Sequence, residues 1–174
     1  MTDINKRRFS DKYRWQLWSA QELSKTLEFS PKFWDDPIIS AAENAQIKWF
    51  VGVEVHNYSL VVAVYGYHLD QVYLGPIVQY DTTQDGYTKL SEDLKKFSIR
   101  RFLMENSGIY HFQVYWELKK LFPQAQIVVM NSSELARHIK KTRKSDKADA
   151  VKLAQFARYN ELIHLSYCPK KDDA

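Results

Sequence analysis

The sequence predicts an α/β fold in which a mixed β-sheet is flanked by helices. Three apolar segments rich in β-branched residues follow one another closely between residues 47 and 80, a spacing typical of an antiparallel meander. After residue 84, helical patterns alternate with short apolar segments, and this alternation favours strands joined by helices in a mixed sheet. The predicted order of elements is therefore βββαβαβα, with a helical extension in front of it.

The elements are assigned in chain order from hydrophobic periodicity. The predicted strands cover residues 47–56, 58–67, 72–80, 101–105 and 125–130. The predicted helices cover residues 85–97, 110–121 and 145–162, and residues 131–144 form a connection or a broken helix. These elements make one domain over residues 47–168. The chain is expected to fray from residue 163, and residues 169–174 are a tail outside the domain.

The extension covers residues 1–46 and differs in character from the rest of the chain. Residues 11–18, DKYRWQLW, carry aromatic side chains at near-helical spacing, and Ser19 with Glu22 forms a capping-box pattern. Pro31 suits the first position of a further short helix. We therefore predict a helical, aromatic-rich extension whose tryptophans either pack on the domain or contact a partner.

Composition and charge narrow the class of protein. The 174 residues are 45% hydrophobic and 26% charged, as in globular domains that bury a core. The single cysteine, Cys168, excludes an internal disulfide and is typical of a reducing compartment. No apolar run is long enough to cross a membrane and the N-terminus lacks a signal-peptide core, so we expect a cytoplasmic protein. The net charge of +4 permits a polyanionic partner.

Carboxylates occur where predicted strands end and where the last helix begins. Glu54 lies inside the apolar first strand, and Glu105 ends the fourth strand before a turn. Asp146 and Asp149 lie three residues apart in the first turn of the last helix and so share one face. Reactive groups of α/β sheets gather at such positions, so we expect these carboxylates to converge. Because they would repel one another without a cation, a hard divalent ion is expected, Mg²⁺ first, with Mn²⁺ as a substitute.

Each acid also has an explanation that needs no metal. Acids in a first helical turn interact favourably with the helix dipole, which accounts for Asp146 and Asp149. Glu105 fits a turn, and Glu54 fits an edge strand that faces solvent. His56 projects to the same strand face as Glu54, where it either orients a water or carries a proton, or has only a structural role.

Three segments carry a resemblance to a known family. They are VGVEVHNYSLVVAV at residues 51–64, MENSGIY at residues 104–110 and KSDKADAVKLA at residues 144–154. In this order they resemble the three motifs of the DEDD insertion-sequence transposases, the group that contains the Piv pilin-gene invertase. The resemblance covers roughly residues 48–168, and its third motif, Asp-x-x-Asp-Ala at a helix start, is the most specific. Glu54 stands where the family has Asp, so its carboxylate reaches further by a methylene.

The resemblance implies an RNase H-like, RuvC-type fold. It also implies that Glu54, Glu105, Asp146 and Asp149 form a catalytic tetrad that binds Mg²⁺ for phosphodiester chemistry in DNA transposition. Family members act on DNA as oligomers, and some use a structured guide RNA. The family continues into a C-terminal domain with a serine nucleophile. The 174 residues do not include that domain, so complete strand exchange by this chain alone is not expected.

Positive charge is concentrated in residues 137–147, next to the aspartate pair. Cationic side chains there would neutralise backbone phosphates and bind nucleic acid with little sequence preference, whereas a solvated loop is the simpler alternative. The predicted nucleic-acid contacts are Arg137, Lys140, Lys141, Arg143, Lys144 and Lys147.

Three functions remain open from the sequence. The first is the metal-dependent domain of a DNA transposase or recombinase. The second is a catalytically impaired module that binds DNA or RNA, and the third is a stand-alone RuvC-like nuclease that selects branched DNA. The absence of a Gly-rich phosphate loop counts against a kinase on a related fold.

Overall fold

A computed structural model of the chain describes residues 32–33, 41–69, 71–106, 108–138, 146–159 and 166–167, with backbone alone at 32–33, 76, 137–138, 147 and 166–167. The strands are β1 (Lys32–Phe33), β2 (Lys48–Val55), β3 (Ser59–His68), β4 (Gln71–Asp81), β5 (Ile99–Glu105), β6 (Gln126–Met130) and β7 (Ser166–Tyr167). The helices are α1 (Ala41–Gln46), α2 (Gln84–Leu94), α3 (Tyr110–Leu121), α4 (Ser132–His138) and α5 (Asp146–Phe156). None of the described helices is long and apolar enough to span a membrane.

All the described strands form a single mixed sheet in the order β1-β4-β3-β2-β5-β6-β7. The hairpins β2–β3 and β3–β4 are antiparallel, whereas β2, β5 and β6 run parallel to one another. Across the sheet, the five strands from β2 to β6 therefore follow the order β4-β3-β2-β5-β6, with β2 in the middle. This arrangement, with only the second strand reversed, is that of RNase H-like sheets, and the predicted mixed sheet flanked by helices is confirmed.

The two faces of the sheet are covered by different helices. On one face, the valines at alternate positions of β2 pack with buried side chains of α2 and α3, among them Leu90 and Leu118. On the other face, small residues of α5 pack on β3 and β4, where Ala150 and Ala154 lie against Ala63. Because successive side chains of a strand point to opposite faces, Glu54 shares the α5 face with Phe50, which packs against that helix.

A glycine sets how closely α5 approaches the sheet. A Cβ atom on Gly52 would lie 2.0 Å from the carbonyl oxygen of Ala150 and 2.3 Å from the amide nitrogen of Ala154. Only glycine permits this contact between the helix backbone and the strand. The helix and the middle of β2 are therefore in direct contact, and the first turn of α5 lies toward the C-terminal end of β2.

The predicted order βββαβαβα is confirmed, but three local predictions were wrong. Lys32–Phe33 is a short strand parallel to β4 rather than part of a helix opening at Pro31. Ser166–Tyr167 is a strand that pairs with β6 rather than part of a frayed segment. Both strands complete sheet edges, which local periodicity does not reveal. The predicted helices at residues 11–22 and the tail 169–174 lie outside the described residues.

The third difference is the end of the last helix. The helix predicted to continue to residue 162 ends at Phe156. The Arg101 guanidinium reaches it from β5 and donates hydrogen bonds to the carbonyl oxygens of Ala157 (2.6 Å) and Tyr159 (3.2 Å). The carbonyls that follow the helix therefore bond to a side chain of the sheet, as basic residues often do at helix C-termini. Residues 131–144, predicted as a connection or a broken helix, contain α4.

Candidate metal centre

The C-terminal end of β2 carries the first part of the site. Glu54 pairs with Val61 of the antiparallel neighbour β3 and is half-buried in the sheet. Its Oε2 atom is shielded from solvent. His56 follows two residues later, just beyond the end of β2, and shares the strand face of Glu54. A carboxylate and an imidazole are thus presented side by side to the helix that covers this face.

The first turn of α5 carries the second part. Asp146 and Asp149 are its two acidic residues. Asp146 is exposed, with 54% of its side chain accessible, whereas Asp149 is buried, with 6% of the residue accessible, and its Oδ1 is shielded from solvent. The close contact at Gly52 holds this turn over the end of β2. The helix N-terminus itself also favours the negative charge of both side chains.

The two parts meet in one cluster. One ligand atom from each of Glu54, His56 and Asp146 lies within 4.8 Å of the other two. The Nε2 of His56 is 3.2 Å from the Oδ2 of Asp146. Among the residues that the structure describes, these three side chains form the one group that could hold a metal ion. Residues that are 92 positions apart along the chain are therefore brought within reach of a single ion.

The structure brings together two members of the predicted tetrad and adds a residue that was not predicted as a ligand. Glu54 and Asp146 belong to the cluster, and His56 is its third member. The signal for His56 was its spacing of two residues from Glu54 in a strand. From the sequence, that spacing indicates either a residue that contacts a water or carries a proton, or a purely structural role, and not a metal ligand.

Glu105 and Asp149 lie next to the cluster without being part of it. The parallel register aligns Val53 with Met104, so Glu105, the half-buried last residue of β5, lies beside Glu54. Its neighbour Asn106 donates a backbone hydrogen bond to Met130 (2.8 Å), and Gly108 turns the chain with a φ of 58°. The end of β5 is thus fixed against β6. Asp149 lies on the same helical face as Asp146.

The donor set fits a divalent cation. Two carboxylates supply the hard oxygen ligands that Mg²⁺ and Mn²⁺ share. The imidazole nitrogen is a ligand that Mn²⁺ accepts and that Mg²⁺ uses little in proteins. The expected site made of carboxylates alone is therefore extended by a nitrogen donor.

Two polar side chains outside the cluster, those of His111 and Arg101, are also buried. His111, in the first turn of α3, is almost completely buried, and this burial lowers the pKa of its imidazole, although a hydrogen bond with the backbone of Gly108 acts in the opposite direction. Burial also lowers the pKa of the Arg101 guanidinium, which donates a further hydrogen bond to Gln126 (2.9 Å). Through these hydrogen bonds, Arg101 links β5 to β6 and to the residues that follow α5.

The predicted phosphate contacts lie outside the residues whose side chains the structure describes. This applies to Arg137, Lys140, Lys141, Arg143, Lys144 and Lys147. The backbone of Arg137 belongs to α4 and that of Lys147 to α5. The basic segment therefore connects α4 to the helix that carries Asp146, and its role in binding stays a prediction.

Comparison with known proteins gives a limited result. No family model matches the chain, and no curated protein matches it. Among solved structures, the Fowlpox virus resolvase in complex with Holliday junction DNA is similar over 61% of this chain and 95% of its own, with 15% identity and a TM-score of 0.46. The crystal structure of the Fowlpox virus Holliday junction resolvase is similar over 62% of this chain and 95% of its own, with 14% identity and a TM-score of 0.46. The function is therefore inferred from the residues of this chain.

Proposed function

We propose that the protein is a divalent-metal-dependent enzyme that acts on phosphodiester bonds of DNA. The observation that carries this proposal is the cluster of Glu54, His56 and Asp146, whose ligand atoms lie within 4.8 Å of one another. It lies where a central strand ends and a helix begins, which is where α/β folds collect reactive groups. Two further acids, Glu105 and Asp149, border it.

The chain's own residues have two tasks in this reaction. Glu54 and Asp146 would hold the cation, and Glu105 and Asp149 would add negative charge that retains a second one. A bound divalent cation supplies Lewis-acid polarisation of the phosphate and neutralises charge that develops during displacement. The partly buried position of Glu54 and the burial of Asp149 limit the access of water to one side of the site, which strengthens the electrostatic interactions there.

The basic segment would allow the protein to hold a polyanion beside the acidic cluster. Lysines and arginines between residues 137 and 147 flank the first turn of α5 in sequence. Such residues bind phosphates through charge and release counterions, so the affinity falls steeply as salt rises. We propose that this segment positions the DNA backbone while the acidic cluster carries the metal.

The finer proposal is a DNA transposase of the DEDD type. It is supported by the three sequence motifs, whose acids fall at the end of β2, the end of β5 and the start of α5. The proposal includes a cytoplasmic location, where DNA is available, and action as a homo-oligomer, with a guide RNA as a further partner to test.

A cleavage assay with matched variants tests the proposal. The full chain is incubated with linear duplex, branched and four-way-junction DNA in Mg²⁺, in Mn²⁺ and in EDTA. We expect metal-dependent cleavage whose rate falls roughly 100-fold or more in Asp146→Asn. Replacing even an outer-shell residue of a metal site lowers metal affinity or activity by about 10–100-fold. Glu92→Gln, an exposed acid on α2, is the control and keeps full activity.

The outcomes separate the three functions. Cleavage of branched DNA by this chain alone favours a structure-selective nuclease over a transposase. Metal-dependent nicking that leads to joining only when a serine-containing domain is added favours the transposase. Binding of DNA that is unchanged by EDTA, with no cleavage of any substrate, would contradict the proposed enzyme and favour a binding module.

A further inference from the structure

The imidazole of His56 is directed into the acidic cluster. About a third of the side chain is exposed (37%), yet its Nε2 atom is shielded from solvent. That nitrogen lies 3.2 Å from the Oδ2 of Asp146. A ring nitrogen of His56 also lies within 4.8 Å of a carboxylate oxygen of Glu54. The exposed part of the side chain therefore does not include Nε2, which is turned toward Asp146.

We propose that His56 is a metal ligand through Nε2 and makes this a mixed nitrogen–oxygen centre that prefers Mn²⁺ to Mg²⁺. This inference rests on the proposed metal-dependent function and deepens it. It assigns a ligand that the tetrad of acids does not contain, and it selects one metal of the two.

The distance supports ligation. Neighbouring ligands of an octahedral ion with bonds of about 2.1 Å lie about 3 Å apart. The separation of 3.2 Å between His56 Nε2 and Asp146 Oδ2 is close to that value. One small ion therefore contacts both atoms after only minor adjustment of two side chains that are each partly exposed.

A simple ion pair between His56 and Asp146 is the competing explanation. In the described part of the chain, Nε2 makes no hydrogen bond of acceptable geometry despite the short distance. Both side chains are more than a third exposed, and such exposed pairs contribute little to stability. The arrangement is thus better explained by a shared ligand than by direct pairing.

The nitrogen donor determines the metal preference. Mg²⁺ takes oxygen ligands with strict octahedral geometry, whereas first-row transition metals also bind sites with nitrogen ligands. Among these metals, Mn²⁺ is the one that also suits a set rich in carboxylates. Replacing His56 by an oxygen donor should therefore shift the preference toward Mg²⁺, and removing the donor should weaken Mn²⁺ binding more than Mg²⁺ binding.

Mn²⁺ binding and pulsed electron paramagnetic resonance test the proposal without measuring activity. The full chain, free of any histidine tag, is titrated with Mn²⁺ and Mg²⁺, and the Mn²⁺ complex is examined for coupling to an imidazole ¹⁴N nucleus. We expect the coupling in the wild type and its loss in His56→Ala and His56→Asp. We also expect Mn²⁺ affinity to fall roughly tenfold or more in His56→Ala and the Mn²⁺/Mg²⁺ affinity ratio to fall in His56→Asp.

His68→Ala is the matched control, because His68 ends β3 beside Gln71, at the opposite end of the hairpin from Glu54. It should keep both the affinity and the nitrogen coupling. Mn²⁺ binding that depends on Asp146 but shows no ¹⁴N coupling would overturn the role of His56 and leave the metal centre standing. Absence of Mn²⁺ binding by the wild type would overturn the metal centre itself.

Discussion

The two ends of α5 have opposite electrostatic surroundings. At the C-terminal end, the partial negative charge of the helix meets Arg101, whose guanidinium bonds to the carbonyls of Ala157 and Tyr159. The next residue, Arg158, donates to the hydroxyls of Tyr65 (3.1 Å) and Tyr159 (2.6 Å). At the N-terminal end, Asp146 meets a second carboxylate from β2, so charges of one sign are gathered in a small space.

The comparison shows how the fold keeps carboxylates together although their charges repel one another. The C-terminal end and the contact at Gly52 hold the helix on the sheet through hydrogen bonds and packing. The acids at the other end are therefore kept together by structure elsewhere, and the proposed cation would relieve their repulsion. One end of the helix provides stability and the other provides the proposed chemistry.

Disrupting the contact between helix and sheet should have the largest effect. In Gly52→Val, the new side chain would collide with the backbone of Ala150 and Ala154, so α5 must move. We expect a loss of about 3 kcal/mol in the free energy of unfolding, as for severe overpacking, measured by denaturant unfolding. Gly108→Ala is the comparison, since no atom lies within 4 Å of its Cβ and only the positive φ is strained; about 1 kcal/mol is expected. Equal losses would contradict the role of the close contact.

Adding the cation at the acidic end should cause the second-largest change in the free energy of unfolding. At a Mn²⁺ concentration about 100 times the dissociation constant, the free energy of unfolding should rise by about 2.7 kcal/mol. Asp146→Asn should lose most of this gain, whereas the exposed Glu92→Gln on α2 should keep it. Thermal unfolding with Mn²⁺ and with EDTA provides the measurement, and an equal gain in both variants would mean that the ion binds elsewhere.

Removing the cap at the C-terminal end should have a somewhat smaller effect. Arg101→Met keeps an apolar chain of similar length but leaves the carbonyls of Ala157 and Tyr159 without this donor. We expect a loss of about 2 kcal/mol in the free energy of unfolding, in the range of hydrogen bonds to charged groups. The neighbouring Arg100 is exposed, so Arg100→Met should change stability by less than about 0.5 kcal/mol. A similar loss in both variants would exclude a specific cap.

The smallest effect concerns the pH dependence of stability. Burial lowers the pKa of His111 below its ordinary value of 6.5, so the unfolded chain binds a proton more readily than the folded one. The contribution to stability is therefore present above pH 6.5 and is lost as the pH falls below it. In His111→Leu, the decrease in unfolding free energy between pH 7.5 and 5 should be shallower than in the wild type. An unchanged pH slope in His111→Leu would contradict this contribution of His111.

Part of the candidate site was predictable because it depends on local spacing. Asp146 and Asp149 share a face through the helical repeat, and Glu54 and His56 share one through the strand repeat. The sequence did not reveal that His56, rather than Glu105, joins Glu54 and Asp146 within 4.8 Å. That result depends on the height at which α5 crosses β2, which the contact at Gly52 sets.

By itself, the sequence determined the order of the main strands and helices from β2 to α5 and the face that Glu54 shares with His56 and Asp146 with Asp149. These follow from periodicities within single segments, which the chain carries locally. Only the tertiary structure decided that β1 and β7 complete the sheet edges, that α5 ends at Phe156 and that His56 meets Asp146. Each of these depends on a partner far away in the chain: a free strand edge, the guanidinium of Arg101, and the close approach of a helix to a glycine. No local pattern encodes them, because the interaction exists only once the sheet has formed.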